Sequence, residues 1–326
     1  MISNLTNSGI PPKTIEAAAN QSRLAFGLAI TEMACHDDTI VAVSADTLDL
    51  IGLRDFRDRF PDRLIEIGIA EQNAMGVASG LATTGLRPFV CGYAPFITAR
   101  SMEQLRNDVA YANQRVVIGA GASGVSLGVA GGTHHALEDL ALMRALPNMT
   151  VLVPADARQA WHATKATNKL SGPTYIRLGG RIEEPPVTQN EKVFQVGKAQ
   201  LLRDGADITI IACGCMVALA LRAADDLKVK GVNARILNMH TIKPLDDQAV
   251  LSAASETQKI VTAEEHHVTG GLGGAVAELL AQHLPTPMRL IGMPDKFAVV
   301  GPTDRVRERY QMSVCGISTA CLDLMG

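Results

Sequence analysis

Short apolar runs alternate with stretches of helical periodicity along most of this chain, and that alternation restricts it to a mainly parallel sheet. Thr39–Val43, Arg63–Ile67, Pro88–Cys91, Val116–Ala120, Val151–Val153 and Thr174–Leu178 read as strands. Helical periodicity is expected between them, over Ala70–Thr83, Ala99–Ala112, Leu137–Leu146 and Ala157–Lys169. Strands separated by helices pair in parallel through right-handed crossovers. Composition agrees: 47% of residues are apolar but only 4% aromatic, and 29 are Gly, which suits aliphatic strands covered by small-residue helices.

The rhythm breaks at Gly179–Asn190, where Glu183-Glu184-Pro185-Pro186 offers little to bury. It restarts with strand-like Ile208–Ala212, Ala234–Asn238, Ile260–Ala263 and Arg289–Ile291, and with helices near Met216–Lys230 and Gly273–His283. With 326 residues to accommodate, two α/β domains are expected, both doubly wound, over 14–182 and 196–326, joined by a linker at 183–195.

Several function classes are disfavoured. The formal net charge is −3 and Lys and Arg do not cluster, which argues against a nucleic-acid partner. No apolar run approaches the ~18 residues of a membrane span, and Met1–Lys13 lacks the charged-then-apolar order of a signal peptide. Cys35, Cys91, Cys213, Cys215, Cys315 and Cys321 show no zinc-type spacing, so reduced thiols in a cytoplasmic protein are expected.

Open α/β sheets place their sites beyond the carboxyl ends of the strands. There, Glu71 opens a helix of small apolar residues in which Gly76-x-x-x-Gly80 leaves room for close backbone approach. It can be a helix-dipole partner or a functional acid, since a carboxylate in low dielectric can share a proton with a ligand nitrogen. Tyr93 and Phe96 follow the next strand and can cap the core or wall a flat ligand. A glycine-rich loop runs from Gly119 to His134-His135 without the Lys-Ser/Thr ending of a P-loop. Asp46 after the first strand suits a turn, and Arg177 suits either an anion or an ion pair.

Gly68-Ile69-Ala70-Glu71-Gln72-Asn73 resembles the pyrimidine-binding motif of the transketolase-like thiamine diphosphate enzymes. Ser44-Ala45-Asp46 and the run Thr133-His134 through Arg144 are similar to transketolases that are split into two chains. The resemblance covers about residues 15–326. It implies a pyrimidine-binding domain followed by a smaller transketolase C-terminal-like domain. It also implies that Glu71 hydrogen-bonds the aminopyrimidine and so drives formation of the ylide nucleophile, that Phe96 stacks on that ring with Tyr93 beside it, and that Asp46 lies near the cofactor. By the same resemblance His134 contacts the substrate and moves protons, with His135 beside it in place of the usual Gln, and Arg177 meets the sugar phosphate. Glu264-Glu265-His266, Gly270–Gly273 and Gly292–Asp295 are similar to the family's C-terminal domain and are expected to serve the fold and interfaces.

The Gly-Asp-Gly motif that brings magnesium to the diphosphate in this family is absent. No metal ligands are therefore expected here, and the resemblance implies a partner subunit that carries the diphosphate-binding domain and holds Mg2+. A heterotetramer of two such pairs is the expected assembly, inactive without the partner. Ala130 stands where the family has a substrate-reading Asp, and Ala122 where many members have His. The loss of a charged hydrogen bond, worth roughly 1.5–3 kcal/mol, points to an unusual or branched ketose as two-carbon donor. The beta subunit of a 2-oxo-acid dehydrogenase is the near alternative, and a non-catalytic regulatory homologue the distant one.

Overall fold

The fold is taken from a computed structural model, which describes residues 16, 18–182, 184–187 and 194–326. Part of the linker expected at 183–195 thus lies outside the described residues. The first sheet contains β1 (Ile40–Ser44), β2 (Leu64–Glu66), β3 (Arg87–Tyr93), β4 (Val117–Gly121), β5 (Thr150–Leu152) and β6 (Thr174–Arg177). The second contains β7 (Gln200–Arg203), β8 (Ile208–Ala212), β9 (Ala234–Asn238), β11 (Ile260–His267) and β12 (Met288–Met293). Between β9 and β11 in sequence lies β10 (Thr241–Lys243).

The strand order is β10-β5-β6-β4-β3-β1-β2 in the larger sheet and β12-β11-β8-β9-β7 in the smaller. All pairs from β1 to β6 are parallel, as the alternation of strands and helices requires. β1, β4 and β6 are buried from end to end because helices cover both faces of the sheet. Packing on one face is close enough to exclude any side chain at Gly119, where a Cβ would lie 2.3 Å from the Phe26 ring. No helix among the described residues is long and apolar enough to cross a membrane.

Three features depart from the sequence expectation. β10 lies among the second domain's strands in sequence but pairs antiparallel with β5, closing the edge of the first sheet. Beside it, Lys243 Nζ donates to the carbonyls of Arg144, at 2.9 Å, and Leu146. β7 is an antiparallel edge strand whose half-exposed residues give no apolar run. The helix expected over Ala99–Ala112 is instead two π-helical segments, Phe96–Arg100 and Leu105–Tyr111, on either side of Met102–Gln104. Thr98 and Ser101 donate their hydroxyls to the carbonyls of Ala94 and Ile97 at 2.6 and 2.7 Å. Such bonds compete with the helical ladder, and π-turns recur at functional sites.

Candidate active site

The turn after β2 shows how the chain delivers Glu71. Gly68 has φ +75°, a conformation open to glycine, and it reverses the backbone into the helix Glu71–Thr83. Glu66 Oε1 accepts the amides of Gly68 and Asp46 at 3.0 and 2.8 Å, tying the carboxyl ends of β1 and β2 together. Glu71 then enters at the helix N-terminus, 2% exposed, in a helix whose Ala74, Met75 and Ala78 face the core. Gly76 and Gly80 meet nothing within 4 Å, so the close approach they permit is not made by the described part of this chain.

Phe96, Tyr93 and His134 form one aromatic group beyond β3 and β4. The Phe96 ring lies 6.0 Å from Tyr93 and 5.2 Å from His134, edge to face in both cases, and Tyr93 is 6.3 Å from His134. Thr133 Oγ1 lies 3.0 Å from His134 Nδ1, which leaves Nε2 as the ring nitrogen open to a ligand. Arg100 links this group to the acid. Its Nη1 donates to Glu71 Oε2 at 2.6 Å, and its guanidinium carbon lies 4.3 Å from the centre of the Phe96 ring. Glu71, Phe96, Tyr93 and His134 are therefore brought together, as the sequence leads one to expect, and Arg100 joins them. Its only sequence sign is a four-residue spacing from Phe96, which puts both on one helical face.

Asp46, His135 and Arg177 are placed differently. Asp46 is exposed with φ +55°, as the turn residue between β1 and the short helix Leu48–Ile51. His135 is 4% exposed, and its Nε2 lies 3.3 Å from the Gly128 carbonyl, so it braces the loop from within. Arg177 is placed in an ion pair, one of the two roles its position allows. Its Nε and Nη2 donate to both carboxylate oxygens of Asp139 at 2.7 and 2.9 Å, and Nη2 also reaches the carbonyls of Ala136 and Glu265 at 2.8 and 3.0 Å. Tyr175 donates to the same carboxylate at 2.6 Å. Burial opposes both charges, yet the pair outweighs it: Asp139 is held below the usual carboxylate range and Arg177 above the usual guanidinium one. Nε and Nη2 are thereby engaged. Arg181, exposed a few residues beyond β6, acts through its charge on Arg23 and Asp49.

The loop between β4 and His134 is shaped by the second domain. Gly128 O accepts from the amide of Gly301 at 3.1 Å, and a Cβ on Gly128 would lie 2.3 Å from the Gly301 carbonyl. Thr303 Oγ1 donates to Val125 O at 3.0 Å. Val129 and Ala130 are exposed on this loop, whereas Ala122 is fully buried with φ +58°.

The family model described as transketolase, pyrimidine binding domain, matches residues 19–181, and the one described as transketolase, C-terminal domain, matches 197–317. An apulose-4-phosphate transketolase subunit of Phocaeicola vulgatus is 41% identical over 304 residues, covering 93% of this chain and 97% of that protein. The 6-deoxy-6-sulfo-D-fructose transketolase subunit SqwH of a Clostridium species is 42% identical over 284 residues, covering 87% and 88%. A solved structure titled split gene transketolase, inactive beta4 tetramer, superposes with a TM-score of 0.87 at 40% identity, over 94% of this chain and 98% of that one. Both family matches fall on the two sheets in order, and the chain belongs to the transketolase family, as a subunit of the split type.

Proposed function

We propose that this chain, paired with a subunit carrying the diphosphate-binding domain and its Mg2+, transfers a two-carbon ketol unit from a ketose to an aldehyde acceptor with thiamine diphosphate. The assembly we propose is a heterotetramer of two such pairs, with each cofactor held between unlike chains. One observation carries the reading: a buried carboxylate and an aromatic face, Glu71 and Phe96, already hold a planar N–H group between them in the form of Arg100. Residues that hold a guanidinium in this way fit an aminopyrimidine, which is also flat and also bears N–H. When bound, thiamine diphosphate supplies the nucleophilic carbon that takes up the ketol unit.

This chain's own residues supply placement and proton traffic. Glu71 accepts the hydrogen bond from the ring and fixes which ring nitrogen carries the proton. Phe96, with Tyr93 at its edge, covers the ring and excludes water. His134 presents Nε2 to the sugar hydroxyls, its other nitrogen engaged by Thr133. Asp46 keeps its place near the cofactor by shaping the turn at the end of β1. His135 acts on the substrate through the loop it braces. Arg177, tied to Asp139 at the end of β6, is the residue the resemblance gives to the sugar's anionic group.

The donor we propose is an unusual ketose, branched or otherwise modified. The exposed Val129-Ala130 turn supports this, since it offers no carboxylate to an ordinary sugar's hydroxyl. The named activities of the two relatives, on apulose 4-phosphate and on a sulfonated deoxyfructose, lie in the same direction. A panel of ketoses assayed with the paired subunits tests it. Modified or branched donors should lead, and a wide margin in favour of xylulose 5-phosphate would reject the reading. An acyl-transferring dehydrogenase subunit would instead act on 2-oxo acids, which the same panel can include.

A further inference from the structure

Arg100 makes both contacts that the reading above reserves for the aminopyrimidine. Its Nη1 bonds Glu71 Oε2 at 2.6 Å, and its guanidinium lies over the Phe96 ring at 4.3 Å. A guanidinium is flat, carries N–H donors in its plane and stacks on aromatic faces, so in shape and donor pattern it imitates part of an aminopyrimidine. The covered face of Phe96 is the exclusive part of this site: it cannot stack on a guanidinium and on a pyrimidine at once.

We propose that Arg100 is a stand-in for the coenzyme ring: it fills the pyrimidine subsite of the free subunit and swings out when thiamine diphosphate enters. The inference rests on the cofactor reading above. Two further observations support it. Glu71 is 2% exposed, and a buried carboxylate left without a partner is costly, so the free subunit needs a counter-charge at this place. The Arg100 side chain is 43% exposed and ends a π-turn, so it reaches water by rotating its own bonds without opening the core. The stand-in keeps Glu71 and Phe96 in ligand-ready positions before assembly, and it lowers the apparent cofactor affinity by the fraction of molecules in which it has not yet left.

Arg100→Ala therefore has effects of opposite sign in the two states. In the free chain it lowers the melting midpoint by several degrees, and in a Glu71→Gln background that loss disappears because no buried charge remains to be balanced. In the assembled pair, calorimetric titration with thiamine diphosphate shows tighter binding, about 5–10-fold if the open form is roughly 10–20% populated in the wild type. Arg100→Met, which keeps length and loses the charge, tightens binding in the same way. Should the wild-type pair bind while Arg100→Ala binds equally or more weakly, Arg100 holds the coenzyme or ignores it, and the stand-in is overturned with the cofactor reading intact. A wild-type pair that binds no thiamine diphosphate overturns both.

Discussion

At the scale of single residues, the site depends on a buried carboxylate with a cation already on it. Glu71 has little contact with water, and its Oε2 is taken by Arg100. Glu71→Gln keeps the shape and removes the charge and the proton exchange. The assembled variant should lose about 10²–10⁴-fold in turnover, the usual worth of a positioned general acid or base. Size-exclusion chromatography of the mixed subunits should show unchanged assembly, and full activity would refute the role given to Glu71.

Elements show where sequence reading succeeds and where it stops. β1, β3, β4 and β6 were legible because strands buried on both faces are written as largely apolar runs, whereas Glu71 and Phe96 stand a few residues beyond β2 and β3 and His134 lies at the far end of the loop after β4. β7 and β10 were not: a short edge strand is half exposed, and the pairing of β10 with β5 is a long-range choice that no local window contains. Arg177 ends a legible strand, but its partner Asp139 opens the helix Asp139–Ala145, so burial and neutralisation emerge only with the fold. Arg100 was missed for a similar reason, since its significance comes from Glu71 on another helix. The Arg177–Asp139 pair makes a prediction at this level. Asp139→Asn leaves a guanidinium buried without its counter-charge, and the free chain should lose about 3–5 kcal/mol in urea unfolding. Asp139→Asn together with Arg177→Met should recover much of that loss, whereas a phosphate-binding Arg177 would predict no such recovery.

Across the whole molecule, the second domain holds the loop before His134 in shape. The Glu265 carbonyl receives Arg177, its carboxylate pairs with Arg307, and Gly301 fastens the loop at Gly128. Buried ionisable groups are distributed through this arrangement, and their shifts fix how stability responds to pH. Glu184 and Glu264 are each pushed up to about 7, chiefly by burial, with Ser22 and the amides of Leu272 and Gly273 working against it. His240 and His266 are pushed down to about 4, again chiefly by burial. Between about pH 4.5 and 7 the native chain keeps protons on the two carboxyls that the unfolded chain releases, so these groups make stability fall as pH rises. Between about pH 4 and 6.5 the two imidazoles do the reverse, because the unfolded chain then holds the extra protons. The two pairs oppose each other over their common range, and the carboxyl effect alone remains near neutrality. Glu184→Gln isolates one of the four: it removes a downward slope while keeping an oxygen to accept from Ser22. Measured by urea unfolding at pH 5 and pH 7.5, the stability of the variant relative to wild type should shift in the variant's favour at the higher pH. A difference independent of pH would mean that Glu184 is not protonated in the folded chain near neutrality, and that the segment after β6 is secured to the helix Ser22–Ala34 by an ionised carboxylate instead.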